Sequence, residues 1–296
     1  MSLGIPSYMI AILFNMYRNK NVYVTFNNCI SNVWKLGNGV RQGGIISPLL
    51  FNFYIDEVLN CVTTMNVGCK LGLKMNNIQA YADDIVLLAP TASGLQILLN
   101  SESNQLRELG LVLNADKSTC MIFNSKSTSV INQSCVIDNL KIPIVKSHKF
   151  LGIILSDYMR NGEDLIRCEK TFLREFYSIY RKFHSSNVDV LISLFKSHCL
   201  TFYGSQLYHD NMGCKKNFKS LGISYHKSLK KILNMPWRES NHFVCDRVNI
   251  LTCNHLLNMY MLRYIFSLLK SNSVCIVPFK LYLSDQSKIV RGIIEI

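Results

Sequence analysis

Ile78-Gln79-Ala80-Tyr81-Ala82-Asp83-Asp84-Ile85-Val86-Leu87-Leu88-Ala89 sets two adjacent carboxylates between two short apolar runs. Ile78 to Ala82 and Ile85 to Ala89 have the length and composition of buried strands, so the sequence predicts a hairpin joined through Asp83 and Asp84. Charges next to an apolar core are costly unless they meet a cation, the amides of a tight turn, or water. In a regular strand, neighbouring side chains point to opposite faces. A tight turn relaxes that rule and lets at least one carboxylate face a bound metal. Hard divalent cations take oxygen ligands, which makes such a tip a good holder for them. An Asx-type turn capping its own backbone fits the bare dipeptide as well.

About forty residues upstream stands Gly39-Val40-Arg41-Gln42-Gly43-Gly44-Ile45-Ile46-Ser47-Pro48. Its glycines allow a backbone to approach a ligand closely, and Arg41 and Gln42 offer donors to phosphates or base edges. It also reads as a simple strand-to-helix connection. Ser47 reads as an N-cap with Pro48 at the first helical position, opening a helix from Leu49 to about Thr64. Before it, Tyr8 to Tyr17 reads as a helix. Val22, Val24 and Phe26 alternate as a strand does, Asn27-Asn28 is a turn, and Val33 to Leu36 a return strand. After the carboxylates, Ala92 to Leu109 forms an amphipathic helix capped by Gly110. Gly110-Leu111-Val112-Leu113-Asn114-Ala115-Asp116-Lys117-Ser118 follows, then a strand at Cys120 to Phe123 and two or three more within Val136 to Leu155. From Gly162 the pattern is helical, over roughly 163–184, 187–207, 216–234 and 254–270.

Formal net charge is +13, unevenly placed. Residues 1–160 carry 13 Lys and Arg against 9 Asp and Glu, and residues 161–296 carry 19 against 10. An excess biased to one half suits a polyanionic partner. No apolar run reaches the ~18 residues of a membrane span, and residues 1–17 show no basic region followed by an apolar core, so no secretory signal is expected. The 11 cysteines contain no C-x-x-C pair, which favours buried free thiols in a reducing compartment. Cys245, Cys253 and His255 are an irregular alternative set of zinc ligands.

The ordered segments GVRQGGIISPLLFNFYID, AYADDIVLLAP, LGLVLNADKSTCMIF and HKFLGIIL resemble segments B, C, D and E of reverse transcriptases from non-LTR, LINE-type retrotransposons. The resemblance is specific over about residues 4–160 and looser beyond. It implies an α+β fold: a partial polymerase palm, with an antiparallel sheet and helices, over 1–160. A mainly helical, basic thumb-like or connecting region would follow over 161–296. It also implies Mg2+ chemistry with two ions, an RNA template, a DNA primer and deoxynucleoside triphosphates. Asp83 matches the metal-binding acid and Asp84 its neighbour, with Tyr81 and Ala82 beside the primer end. Arg41 belongs to the loop in which Gln42, Gly43 and Gly44 match contacts to template and incoming nucleotide. Lys117 matches a lysine placed at the departing pyrophosphate, and Phe150-Leu151-Gly152 matches the hairpin that grips the primer. Arg167, Lys170, Arg174, Arg181 and Lys182 are candidates to hold duplex phosphates, or form an ordinary solvated face.

The family's further metal-ligand aspartate, in segment A, and its fingers region have no counterpart in this sequence. Asp56 and Glu57 read better as a solvated helix face, and Asp116 as a turn residue. The expectation is therefore a fragment with weak or no polymerase activity of its own, intracellular and not secreted. The alternative is a non-catalytic nucleic-acid-binding remnant. A group II intron maturase or telomerase-like polymerase is a further reading within the enzyme class.

Overall fold

The computed structural model describes residues 4–18, 21–35, 37, 39–71, 74–123, 135–158, 160–208 and 215–271. Strands and helices alternate up to Ser156, and helices alone follow. The chain is α+β, as expected.

Helix α1 (Ser7–Tyr17) precedes four two-residue strands, β1 (Asn21–Val22), β2 (Thr25–Phe26), β3 (Cys29–Ile30) and β4 (Trp34–Lys35). The alternating stretch from Val22 to Phe26 is thus broken in two: β1 pairs with β4, and β2 with β3 around Asn27-Asn28. The return strand ends at Lys35, and Leu36 lies outside the described residues. Helix α2 (Ser47–Thr64) begins earlier than the sequence suggested, with Ile46 as its N-cap. Ser47 does not cap: its hydroxyl turns back and donates to the Arg41 carbonyl at 2.7 Å.

Strands β5 (Lys70–Leu71) and β6 (Lys74–Met75) pair, and then comes the hairpin β7 (Ile78–Tyr81) and β8 (Asp84–Leu87). Helix α3 (Ala92–Glu108) starts on Thr91, whose hydroxyl accepts from the Gly94 amide. It ends in a Schellman arrangement: the Leu111 amide reaches Leu106 and the Gly110 amide Arg107, with Gly110 at φ +72°. The strand expected at Cys120 to Phe123 is reduced to one parallel bridge from Cys120 to Ile144. Two hairpins follow, β9 (Val136–Ile137) with β10 (Leu140–Lys141), and β11 (Ser147–Phe150) with β12 (Ile153–Ser156). Among the described residues the strands form six separate two-stranded ladders rather than one continuous sheet.

Asn77 ties these pieces together. It is wholly buried, and its amide donates to the carbonyls of Val62 at 2.7 Å and Val67 at 3.0 Å. The end of α2 is thereby fixed against the start of β7. Val62, Ile78 and Leu98 pack beside it in a small core.

The larger core lies in the helical half, among α4 (Gly162–Phe183), α5 (Val188–Leu194), α6 (Lys215–Ile232), α7 (Asn241–Arg247) and α8 (Cys253–Lys270). Leu165, Cys168, Phe172 and Phe176 recur at helical spacing on α4 and are buried. Phe172 touches the rings of Phe176, Phe195, Phe202 and Tyr225 with centroids 5.6–6.5 Å apart. The single helix expected over 187–207 is broken. After α5 come one π-helical turn, Phe195–Cys199, and a short 3-10 turn, Ser205–Leu207. Phe202 and Gly204 between them take positive φ, which no helix continues through. Helix α7 has no counterpart among the sequence expectations. Among the described residues, no helix is long and apolar enough to cross a membrane.

Candidate active site

The β7–β8 ladder pairs Tyr81 with Asp84, leaving a two-residue loop, Ala82-Asp83. The turn therefore lies one residue earlier than the sequence suggested: Asp83 is in the loop and Asp84 opens β8. That offset lets the two acids escape strict alternation. Both are exposed, and among the described residues neither carboxylate makes an ion pair or a side-chain hydrogen bond. Adjacent, solvated and unpaired oxygens suit a hard cation. Among the described residues, however, no third acid, histidine or cysteine joins them in a group that could hold an ion. Tyr81 stands beside them, 66% exposed.

Ala82 sits at φ +53°. At the two-residue loops Asn27-Asn28 and Asp138-Asn139, positive φ falls on Asn and Asp, which tolerate that region. Among the described residues, the non-glycine positive-φ positions that are neither Asn nor Asp are Ala82, Leu151 and Phe202. Each costs about 1–2 kcal/mol relative to ordinary backbone. Two of them are in the turns singled out from sequence.

The loop from Gly39 to Ile46 folds over Ser47. The Gly44 amide donates to Arg41, and the Ser47 amide to Gly44. A Cβ on Gly44 would lie 2.5 Å from the Ser47 hydroxyl oxygen, so this close approach requires glycine. The Arg41 guanidinium reaches the Met16 carbonyl at the end of α1, 3.5 Å away. Arg41, Gln42 and Gly43 are exposed, and Ile45 is 98% exposed. This loop and the Asp83 tip share a scaffold through α2, which packs on β7.

Lys117 is exposed, in a turn closed by Asn114, whose side-chain oxygen accepts from the Lys117 amide at 3.2 Å. Asp56 and Glu57 are exposed on α2, where Asp56 accepts from Asn60. Asp116 is exposed in the Lys117 turn. Cys245 and Cys253 are buried in the helical core, and His255 is bonded to Thr252. Leu151-Gly152 forms the tip of the β11–β12 hairpin with φ of +46° and +82°.

Of the five basic residues on α4, Lys170, Arg174, Arg181 and Lys182 are exposed. Arg167 is not free for phosphate, because it pairs with buried Asp164. Burial pushes the Asp164 carboxyl up, but Arg167, the Tyr208 hydroxyl and the Ile154 amide outweigh it and hold it below the usual carboxylate range. Sequence reasoning passed over Asp164, Tyr203 and Tyr208. The signal available was an acid in a helix's first turn, which most helices carry for other reasons.

The sequence profile described as "Reverse transcriptase (RNA-dependent DNA polymerase)" matches residues 2–155. The chain belongs to that family. It is 33% identical over 157 residues, 51% of its length, to the Retrovirus-related Pol polyprotein from type-2 retrotransposable element R2DM of Drosophila melanogaster, covering 15% of that protein. It is 21% identical over 244 residues to the RNA-directed DNA polymerase from mobile element jockey of the same species, covering 78% of this chain and 26% of the relative. Similarity to the probable RNA-directed DNA polymerase from transposon BS, also of Drosophila melanogaster, extends over 91% of this chain, at 21% identity, and 30% of the relative. The chain thus spans less than a third of the length of each of these relatives.

Proposed function

We propose that this chain supplies part of the nucleotidyl-transfer centre and a duplex-holding surface of an RNA-directed DNA polymerase of the non-LTR type. The observation that carries this reading is the exposed, unpaired Asp83-Asp84 pair at a strained two-residue tip. Mg2+ held there would neutralise the triphosphate and lower the pKa of a primer 3′-hydroxyl. Asp83 and Asp84 contribute the carboxylate oxygens. Tyr81 and Ala82 set the floor beside the primer end. Arg41, Gln42, Gly43 and Gly44 place donors against template and incoming nucleotide, and Lys117 stands on the side of the departing pyrophosphate. Phe150, Leu151 and Gly152 hold the primer strand. Catalysis is then largely positioning and charge neutralisation. The basic face of α4 takes backbone phosphates without reading bases.

Two ions ~3.5–4 Å apart need more ligands than two neighbouring carboxylates provide, and no third joins them among the described residues. The second reading, a nucleic-acid-binding unit without catalysis of its own, rests on that observation. Primer extension on an RNA template separates the two. The expected outcome for the 296-residue chain is salt-dependent binding of primer-template with extension weak or undetectable, and a Mg2+-dependent part of the affinity that Asp83→Ala removes. Template-dependent synthesis abolished by Asp83→Ala would establish a complete centre in this chain. Duplex affinity indifferent to both Mg2+ and Asp83→Ala would remove the metal role.

A further inference from the structure

The β11–β12 hairpin is fastened to the helical half by a chain of contacts that ends at its tip. The Tyr203 hydroxyl donates to the Leu151 carbonyl at 2.9 Å. The same ring lies against Gly152, where an added Cβ would be 3.2 Å from a ring carbon. The Tyr203 carbonyl in turn accepts from Arg167 Nη2 at 2.9 Å. Arg167 is held by both oxygens of Asp164. Asp164, 1% exposed, also accepts from the Ile154 amide at 2.8 Å and from the Tyr208 hydroxyl at 2.6 Å. The carboxylate therefore grips the hairpin at β12, while Tyr203 grips it at the turn.

The backbone around Tyr203 is unusual in the same sense. Phe202, its predecessor, sits at φ +36°, and Gly204, its successor, at φ +89° with its Cβ position 3.1 Å from Ile153. Phe202 is buried in the aromatic core. Its strained conformation lets the ring stay inside while Tyr203 turns outward to the hairpin. Tyr203 remains 56% exposed. A brace needed only for folding would gain more from burying the ring. An exposed brace beside a strained tip suits a contact that must be both held and reached.

We propose that Tyr203, backed by Arg167 and Asp164, is a positioning residue that sets the Leu151-Gly152 tip for the recessed 3′ end of a primer–template duplex. The inference rests on the reading of this hairpin given under Proposed function, but its first test needs no nucleic acid. Tyr203→Phe removes one hydroxyl and keeps the ring. Amide hydrogen exchange across residues 149–154 should quicken about 2- to 10-fold, the range of one net hydrogen bond, with exchange in α6 and α8 unchanged. Unaltered exchange at the tip would overturn the brace.

The second test compares the affinity of the full chain, by fluorescence anisotropy, for a duplex with a recessed 3′ end and for a blunt duplex of equal length. Tyr203→Phe should weaken the first by a similar factor and leave the second as it is, and Tyr203→Ala should do so further. Equal weakening of both duplexes, or of neither, would overturn the positioning role. A wild-type chain that binds no duplex would sink the polymerase reading and with it the primer-end role, while the exchange measurement would still decide the brace.

Discussion

Among the described residues, Glu102 is a carboxylic acid set in surroundings that do not fit its charge. It lies on α3 with 2% of its surface exposed, and its Oε1 has no hydrogen-bond partner among the described residues. Burial pushes its carboxyl from the ordinary 4.5 up to about 7. A raised carboxyl pKa means the folded state binds the proton more tightly than the unfolded state does. Glu102 therefore carries no ionisation penalty below pH 4.5. Its penalty grows between pH 4.5 and about 7, levelling at about 3 kcal/mol. Glu102→Gln should raise the melting temperature at pH 8 and leave it nearly unchanged at pH 4.5. An equal shift at both pH values would mean that ionisation is not what Glu102 costs. A helical pattern cannot announce such a residue: Leu98, Leu99, Glu102 and Leu106 share one stripe, and a single acid within it reads as surface.

At the scale of elements, the longer helices were legible because their periods are local, although the cap expected at Ser47 and the helix α7 were not. Gly110 closes α3 as the sequence indicated, while the cap at its start, Thr91, was not singled out there. The turn at Asp83-Asp84 was legible to within one residue, since apolar runs mark a hairpin but not its register. What was not legible depends on distant partners. Asn77 looks like a loop residue, yet its amide donates to the Val62 carbonyl in the last turn of α2 and to the Met65 and Val67 carbonyls just beyond it. Asn77→Ala would take the donor from the half-buried Val67 carbonyl and leave the Val62 carbonyl with the Met65 amide alone, and should lower stability by about 1–3 kcal/mol, read as the urea midpoint of the chain. A loss below about 0.5 kcal/mol, the low end for one net hydrogen bond, would show that α2 and β7 hold together without it. The break of the 187–207 helix was hidden for the same reason. Its cause is the placement of Phe202 inward and Tyr203 outward, a tertiary demand with no local mark.

For the molecule as a whole, the sequence located the excess of positive charge but not which cations are free. Lys170, Arg174 and Arg181 reach solvent on α4, while Arg167 on the same helix is committed to Asp164. Alanine at the first three should weaken duplex binding and flatten its salt dependence, by about 0.9 in log–log slope for every B-form DNA phosphate no longer neutralised. Arg167→Ala should instead lower thermal stability, because it strands a buried carboxylate, and leave the slope alone. A slope that falls with Arg167→Ala and not with the other three would reverse this assignment. The four segments that carry the family resemblance stood out because they are short and carry their chemistry in residue type. The path by which the helical half meets them does not.

The largest core of the described residues lies in the helical half, while α1 buries none of its side chains and leaves Tyr8, Ile10, Ile12 and Phe14 exposed. Ribosomes deliver a chain from its N-terminus at about 5–20 residues per second. The apolar helix is therefore in the cell roughly 10–50 s before the last core helix is complete. That greasy surface is still open when the helical half is complete, so α1 is a standing site for apolar contact during synthesis and after it.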